Sequence, residues 1–109
     1  MILPAYYPIS YHIEVQDQYT GFWQVIYEVP VRYQMKIVEE RFLWVFTIRH
    51  KEVENYDEAI AQARRDACHW ARNQPGIVRI RETRRNHDDN WPEYLIYRVW
   101  QEGRWLTDA

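Results

Sequence analysis

The residues best suited to chemistry form an arginine-rich block between positions 64 and 85. This block holds seven arginines and two acids, a charge of +5, in a chain whose net charge is −2. A guanidinium group binds phosphate or carboxylate through paired hydrogen bonds and also stacks on aromatic rings. The candidate binding residues are Arg64, Arg65, Arg72, Arg79, Arg81, Arg84 and Arg85, together with Trp91 at the end of the following loop.

An arginine block beside an aromatic residue suits either a nucleic acid or a protein interface. Phosphate backbones attract clustered cations, and bases stack on aromatic rings. The sequence pI, near 6.1, is far below the value above about 9 that is typical of nucleic-acid-binding domains. A third interpretation is a solvated sheet face whose arginines pair with acids such as Glu82, Asp88 and Asp89. Nucleic-acid binding is therefore the alternative to protein binding.

Residue types that bind metals or act as nucleophiles are present but poorly placed. His87-Asp88-Asp89 is the compact ligand-like group, and a polar turn explains it as well as a metal site does. Cys68 and His69 are adjacent on a predicted helix, where neighbours point about 100° apart, so they do not form a nucleophile–base pair. The sequence thus predicts no catalytic residue, no metal, no cofactor and a protein that is not an enzyme.

The clearest element that could position these side chains is a helix over residues 55–74. Asn55 suits the N-cap, Glu58 completes a capping box, and Pro75-Gly76 ends the helix. Apolar residues recur at spacings of three and four, at Tyr56, Ile60, Ala63, Ala67 and Trp70. This stripe predicts the face that packs on the core.

Alternating apolar residues predict strands on both sides of the helix. The predicted strands are 11–16, 22–29, 31–38, 41–49, 77–82 and 93–101, with a short strand or tail at 104–106. This order, β-β-β-β-α-β-β, indicates an α+β domain with a mainly antiparallel sheet of five or six strands packed on one central helix.

Segment 41–49 is apolar on both faces, which favours a place at the centre of the sheet. Residues 83–92 form a predicted polar loop. Residues 1–9, which contain two prolines, are expected to form an extended N-terminal arm, and 10–109 the single domain.

One helix is too narrow to cover such a sheet. A helix is about 10 Å across, whereas five or six strands span roughly 20 to 25 Å. Strands 22–29, 41–49 and 93–101 nevertheless carry large apolar residues on both faces. The uncovered face must curl on itself, be covered by the N-terminal arm, or be covered by another protein or a second copy.

The sequence as a whole predicts a small, non-enzymatic protein-binding module that uses this aromatic sheet face. It would act as a homodimer or as an adaptor or inhibitor on a larger protein assembly. A hydrophobic content of 47% and an aromatic content of 17% exclude a disordered chain. Its longest apolar run, 42–46, is too short to span a membrane. The start of the chain lacks the pattern of a signal peptide. A lone cysteine favours a reducing compartment, so we expect a cytoplasmic protein.

Overall fold

The computed structural model describes residues 6–42, 46–86 and 92–106, with the backbone alone for 40–42 and 46–51. Its elements are β1 (Tyr6–Gln16), β2 (Trp23–Pro30), β3 (Met35–Phe42), β4 (Phe46–Val53), α1 (Tyr56–Arg72), β5 (Val78–Asn86), β6 (Pro92–Gln101) and β7 (Arg104–Leu106). Five strands form an antiparallel sheet in the order β2-β1-β5-β6-β7, and β3 pairs with β4 in a separate two-stranded sheet. The predicted α+β class, with an antiparallel sheet on one helix, is confirmed. No helix in these ranges is long and apolar enough to cross a membrane.

The contact between α1 and the sheet is made by a line of small side chains. The buried residues of the helix are Ala59, Ala63, Ala67 and Ala71. The largest fully buried side chains lie on β1 and β5, at Tyr11, Ile13, Val78 and Ile80. Because alanine projects only a methyl group, it lets the helix approach these strands closely. Trp70, predicted to lie in the core-facing stripe, is instead 39% exposed and stacks on Tyr27 with 4.2 Å between ring centroids.

The start of α1 differs from the predicted capping box. Asn55 occupies the N-cap position, but its side chain forms no capping hydrogen bond. Its Oδ1 accepts from the Gln34 amide at 2.6 Å, and its Nδ2 donates to the Arg32 carbonyl at 3.3 Å. Residues 32–34 lie between β2 and β3, where no neighbouring strand supplies hydrogen-bond partners for their backbone amides and carbonyls. The Asn55 side chain therefore holds residues 32–34 in position and does not cap the helix.

The third and fourth predicted strands are present, but their bounds and their place outside the main sheet differ from the prediction. Strands at 31–38 and 41–49 were expected, the second at the centre of the main sheet, whereas β3 and β4 pair with each other from Met35↔Val53 to Phe42↔Phe46. Residues 43–45, inside the predicted central strand, lie outside the described residues. An apolar run contains no polar turn residue, so alternation alone does not locate the reversal of the chain. In the described ranges this hairpin pairs with no strand of the main sheet. The dimensions of the molecule along its three principal axes are 67, 26 and 25 Å.

The two strands after the helix are longer than predicted. β5 continues to Asn86 through part of the predicted loop 83–92, and β6 begins at Pro92. Residues 83–86 are held in the sheet because the first residues of β1 pair with them, including Tyr7 opposite Arg85. Residues 6–9 of the expected arm thus lie in β1, while residues 1–5 are outside the described ranges.

The register of β1 and β5 defines the two faces of the main sheet. Ile13 lies opposite Ile80, and Glu14 lies opposite Arg79. Residues opposite each other on neighbouring strands share a face of the sheet. Helix α1 packs on the face that carries Ile13 and Ile80. We call the other face, which carries Glu14 and Arg79, the open face.

Candidate functional site

A buried carboxylate, Glu14, lies at the centre of the open face. Arg79 Nε contacts Glu14 Oε1 at 2.5 Å, and Arg81 Nη2 lies 2.8 Å from Oε2. The Arg79 guanidinium lies 4.1 Å from the ring centroid of Trp23, and that of Arg81 lies 4.9 Å from the ring centroid of Tyr94. Glu14 is only 2% exposed although α1 packs on the opposite face. The carboxylate, the two cations and the two rings form one row across β2, β1, β5 and β6.

This row fixes Arg79 and Arg81 in place. Each guanidinium has a carboxylate oxygen on one side and an aromatic ring against it, and both interactions hold the side chain in position. Since Glu14 neutralises one of the two positive charges, the row is less attractive to phosphate than two free arginines would be. The arginines instead form part of a flat, ordered surface.

Exposed apolar side chains flank the row. Val25 lies opposite Glu14 and is 47% exposed, and Ile96 lies opposite Arg81 and is 51% exposed. Tyr94, whose ring lies against Arg81, is 54% exposed. Ordered charges within an exposed apolar and aromatic surface resemble the centre of a protein interface, where Tyr, Trp and Arg concentrate.

A second buried carboxylate, Glu82, lies on the helix side of the sheet. The Tyr11 hydroxyl donates to Glu82 Oε1 at 3.3 Å, and Arg64 Nε donates to the Tyr11 oxygen at 2.9 Å. Arg64 Nη2 and Arg84 Nη2 lie 3.8 Å and 3.4 Å from the Glu82 carboxylate. Burial, and next the negative charge of Glu82, raise the pKa of the Tyr11 hydroxyl above its usual range. A cavity of about 350 Å³ lined in part by Arg64, Glu82 and Arg84 opens beside this cluster.

A third arrangement, which we call the arginine pocket, lies between α1 and β6. Its volume is about 460 Å³, and its lining consists of Ala61, Arg64, Arg65, Cys68, Arg72, Tyr97 and Arg98. Four of these residues are arginines and none is an acid. The lining of the pocket is thus strongly positive.

The structure divides the predicted arginine block among these places. Arg79 and Arg81 lie on the open face, Arg84 lies beside Glu82, and Arg64, Arg65 and Arg72 line the arginine pocket, where Arg64 also reaches Glu82. Arg85 lies in β5 opposite Tyr7 and Pro92. Trp91, and with it His87-Asp88-Asp89, falls outside the described residues. Among the residues that the structure describes, no three His, Cys, Asp or Glu side chains converge as metal ligands would.

Sequence patterns did not identify several residues of these sites. Glu14 and Tyr94 lie in the predicted strands 11–16 and 93–101 but were not among the candidate residues, and Arg98 was not grouped with the helical arginines. Alternation assigns a residue to a face of its own strand and gives no information about which strand lies beside it.

These features define a small α+β domain with two buried carboxylate–arginine clusters and one positive pocket. The chain matches no family model, no curated protein and no solved structure. Functional inference therefore depends on the geometry of the domain.

Proposed function

We propose that this chain is a small, non-enzymatic protein-binding module that contacts its partner through the open face. The observation that supports this proposal is the exposed apolar and aromatic surface of Val25, Tyr94 and Ile96 around the ordered row at Glu14. Burial of such side chains stabilises a complex by about 25 cal/mol per Å² of apolar surface, before the entropy cost of association. The fixed arginines need little further ordering on binding, because Glu14, Trp23 and Tyr94 already hold them.

The partner is a second copy of this chain or a protein of another kind. A cytoplasmic location fits the single free cysteine, Cys68, since thiols stay reduced there. Light scattering on the purified protein distinguishes a dimer from a monomer, and co-purification from the native host tests for a different partner.

Two matched substitutions test the surface. Ile96→Lys places a charge on the open face, and Ile37→Lys places the same charge on the β3–β4 hairpin, where Ile37 is 64% exposed. We expect Ile96→Lys to abolish dimerisation or partner recovery and Ile37→Lys to preserve it. If Ile96→Lys retains binding while its fold is intact, the open face is not the interface.

Nucleic-acid binding is a second candidate, supported by the pairs of arginine and aromatic residues at Arg79–Trp23 and Arg81–Tyr94. Its support is weaker, because both arginines share the carboxylate of Glu14. This candidate predicts that oligonucleotide affinity falls steeply as salt rises, and that Arg81→Ala and Arg84→Ala reduce that slope. The absence of a mobility shift at low salt would exclude it.

A further inference from the structure

The arginine pocket lies on the helix side of the sheet and is separate from the open face. Arg64, Cys68 and Arg72 follow one another at intervals of four residues, so they lie on one side of α1. Arg98 comes from β6, and its Nη1 lies 4.0 Å from Cys68 Sγ. Two elements distant in sequence thus bring guanidinium groups to one thiol.

The positive charge of this pocket is largely uncompensated. Arg64 lies 3.8 Å from Glu82, but among the residues that the structure describes, no carboxylate forms an ion pair with Arg65, Arg72 or Arg98. The Cys68 thiol does not supply the missing charge. Burial raises its pKa despite the nearby arginines, so the thiol is neutral at pH 7.

Two of the guanidinium groups are held in position by aromatic rings. Those of Arg64 and Arg98 lie 4.8 Å and 5.4 Å from the ring centroid of Tyr97. Arg98 also lies 5.3 Å from the ring centroid of Trp105, and Arg64 is hydrogen-bonded to Tyr11. Side chains that are already ordered lose less entropy when a ligand binds. The guanidinium groups of Arg64 and Arg98 are therefore preorganised to bind an anion.

We propose that the arginine pocket binds the phosphate group of a phosphorylated peptide. A phosphomonoester carries close to two negative charges near neutral pH and three acceptor oxygens, and several guanidinium groups satisfy these oxygens together. Clusters of arginine are the usual means by which proteins recognise phosphorylated segments.

A peptide fits this site better than a polynucleotide does. A nucleic acid needs cations that follow its backbone over several phosphates, whereas three arginines of β5 lie on the opposite face or beside a carboxylate. Arg79 and Arg81 share Glu14 on the opposite face, and Arg84 lies 3.4 Å from Glu82. The compact pocket instead matches one anionic group presented by a chain whose other side chains bear no charge.

The experiment titrates the full chain with three fluorescent pentapeptides that carry phosphoserine, phosphothreonine or phosphotyrosine between glycines. The same peptides without phosphate serve as ligand controls, and binding is followed by fluorescence anisotropy at constant ionic strength. We expect at least one phosphorylated peptide to bind at least about tenfold more tightly than its unmodified form, the effect of one charge-assisted hydrogen bond.

Charge-matched variants locate the binding. Arg72→Gln and Arg98→Gln are each expected to weaken phosphopeptide binding at least about tenfold. Arg32→Gln removes the same charge from an exposed position outside the pocket and is expected to leave it unchanged. Because Arg98 packs on Trp105, Arg72→Gln provides the test if Arg98→Gln does not fold.

Three results would overturn the proposal. The first is no preference for any phosphorylated peptide. The second is a preference that Arg72→Gln and Arg98→Gln retain. The third is displacement of the peptide by a single-stranded 12-nucleotide RNA that binds more tightly, which would assign the pocket to nucleic acid. None of these outcomes depends on Ile96, so failure here is separate from failure of the open-face proposal.

Discussion

The Tyr11 hydroxyl donates a hydrogen bond to the buried carboxylate of Glu82 at 3.3 Å across neighbouring strands. The same hydroxyl oxygen accepts from Arg64 Nε at 2.9 Å. Tyr11 therefore connects the guanidinium group of Arg64 on the helix to the carboxylate of Glu82 in the sheet. Both Tyr11 and Glu82 are buried. Buried networks of this kind are stable only while every member keeps its partner.

Removal of the Tyr11 hydroxyl is expected to destabilise the fold. Tyr11→Phe preserves the ring but takes one donor from Glu82 and one acceptor from Arg64, so the free energy of unfolding should fall by about 1 to 3 kcal/mol. Urea unfolding followed by tryptophan fluorescence measures this change. Tyr19→Phe, at a side chain that is 89% exposed, should shift the free energy by less than about 0.5 kcal/mol. Equal effects of the two substitutions would show that the network contributes nothing.

Stability should fall as pH rises above the usual tyrosine range. Burial raises the pKa of both Tyr11 and Tyr33, so the folded chain keeps protons that the unfolded chain releases from about pH 10 upward. The contribution of these groups is complete below that pH and decreases above it, by about 1.4 kcal/mol per pH unit for each tyrosine.

Tyr33→Phe tests this pH dependence, because it removes the half-buried hydroxyl of Tyr33, which donates to the Pro8 carbonyl. Urea unfolding between about pH 9 and pH 11.5 should give a shallower decline for Tyr33→Phe than for the wild type. Tyr19→Phe is the control and should follow the wild type. A Tyr33→Phe profile parallel to that of the wild type would contradict the assignment.

Periodicity in the sequence predicts which face of a helix or strand is apolar, but it does not predict which elements lie beside each other. The alanines of α1 and the strands around Tyr11, Val25 and Ile96 were predicted because apolar residues recur along each element at the spacing of a helix or a strand. The contact between Glu14 and Arg79 joins residues far apart in sequence, and it exists only because β1 lies beside β5. A pattern within one strand does not specify its neighbour. The turn between the third and fourth strands was expected at residues 39–40, which lie inside β3, because no turn residue interrupts the apolar run 42–46.

The free energy of unfolding should depend on the negative charge of Glu14, which holds the row on the open face together. Glu14→Gln keeps the size of the side chain but leaves Arg79 and Arg81 without their common carboxylate. Removal of one partner from a buried ion pair typically costs about 3 to 5 kcal/mol. Glu28→Gln is the matched control, because the Glu28 side chain is 59% exposed, and its cost should be below about 0.5 kcal/mol.

A double-mutant cycle separates this charge effect from a general loss of packing. Arg81→Gln should destabilise the wild type more than it destabilises Glu14→Gln, because the interaction is already lost in that variant. Chemical unfolding of the four proteins gives the coupling. Additive effects would mean that Glu14 and Arg81 do not stabilise each other.

The β3–β4 hairpin should be removable without loss of the main sheet. It pairs with no strand of that sheet in the described ranges, whereas its base is closed by the Glu54 amide, which donates to the Gln34 carbonyl at 2.9 Å. Replacement of residues 37–51 by Asn-Gly keeps this base and supplies a two-residue hairpin turn. We expect the shortened chain to unfold cooperatively, with a change in the free energy of unfolding below about 1 kcal/mol. Circular dichroism and urea unfolding check this result. A shortened chain without a cooperative transition would show that the hairpin supports the main sheet.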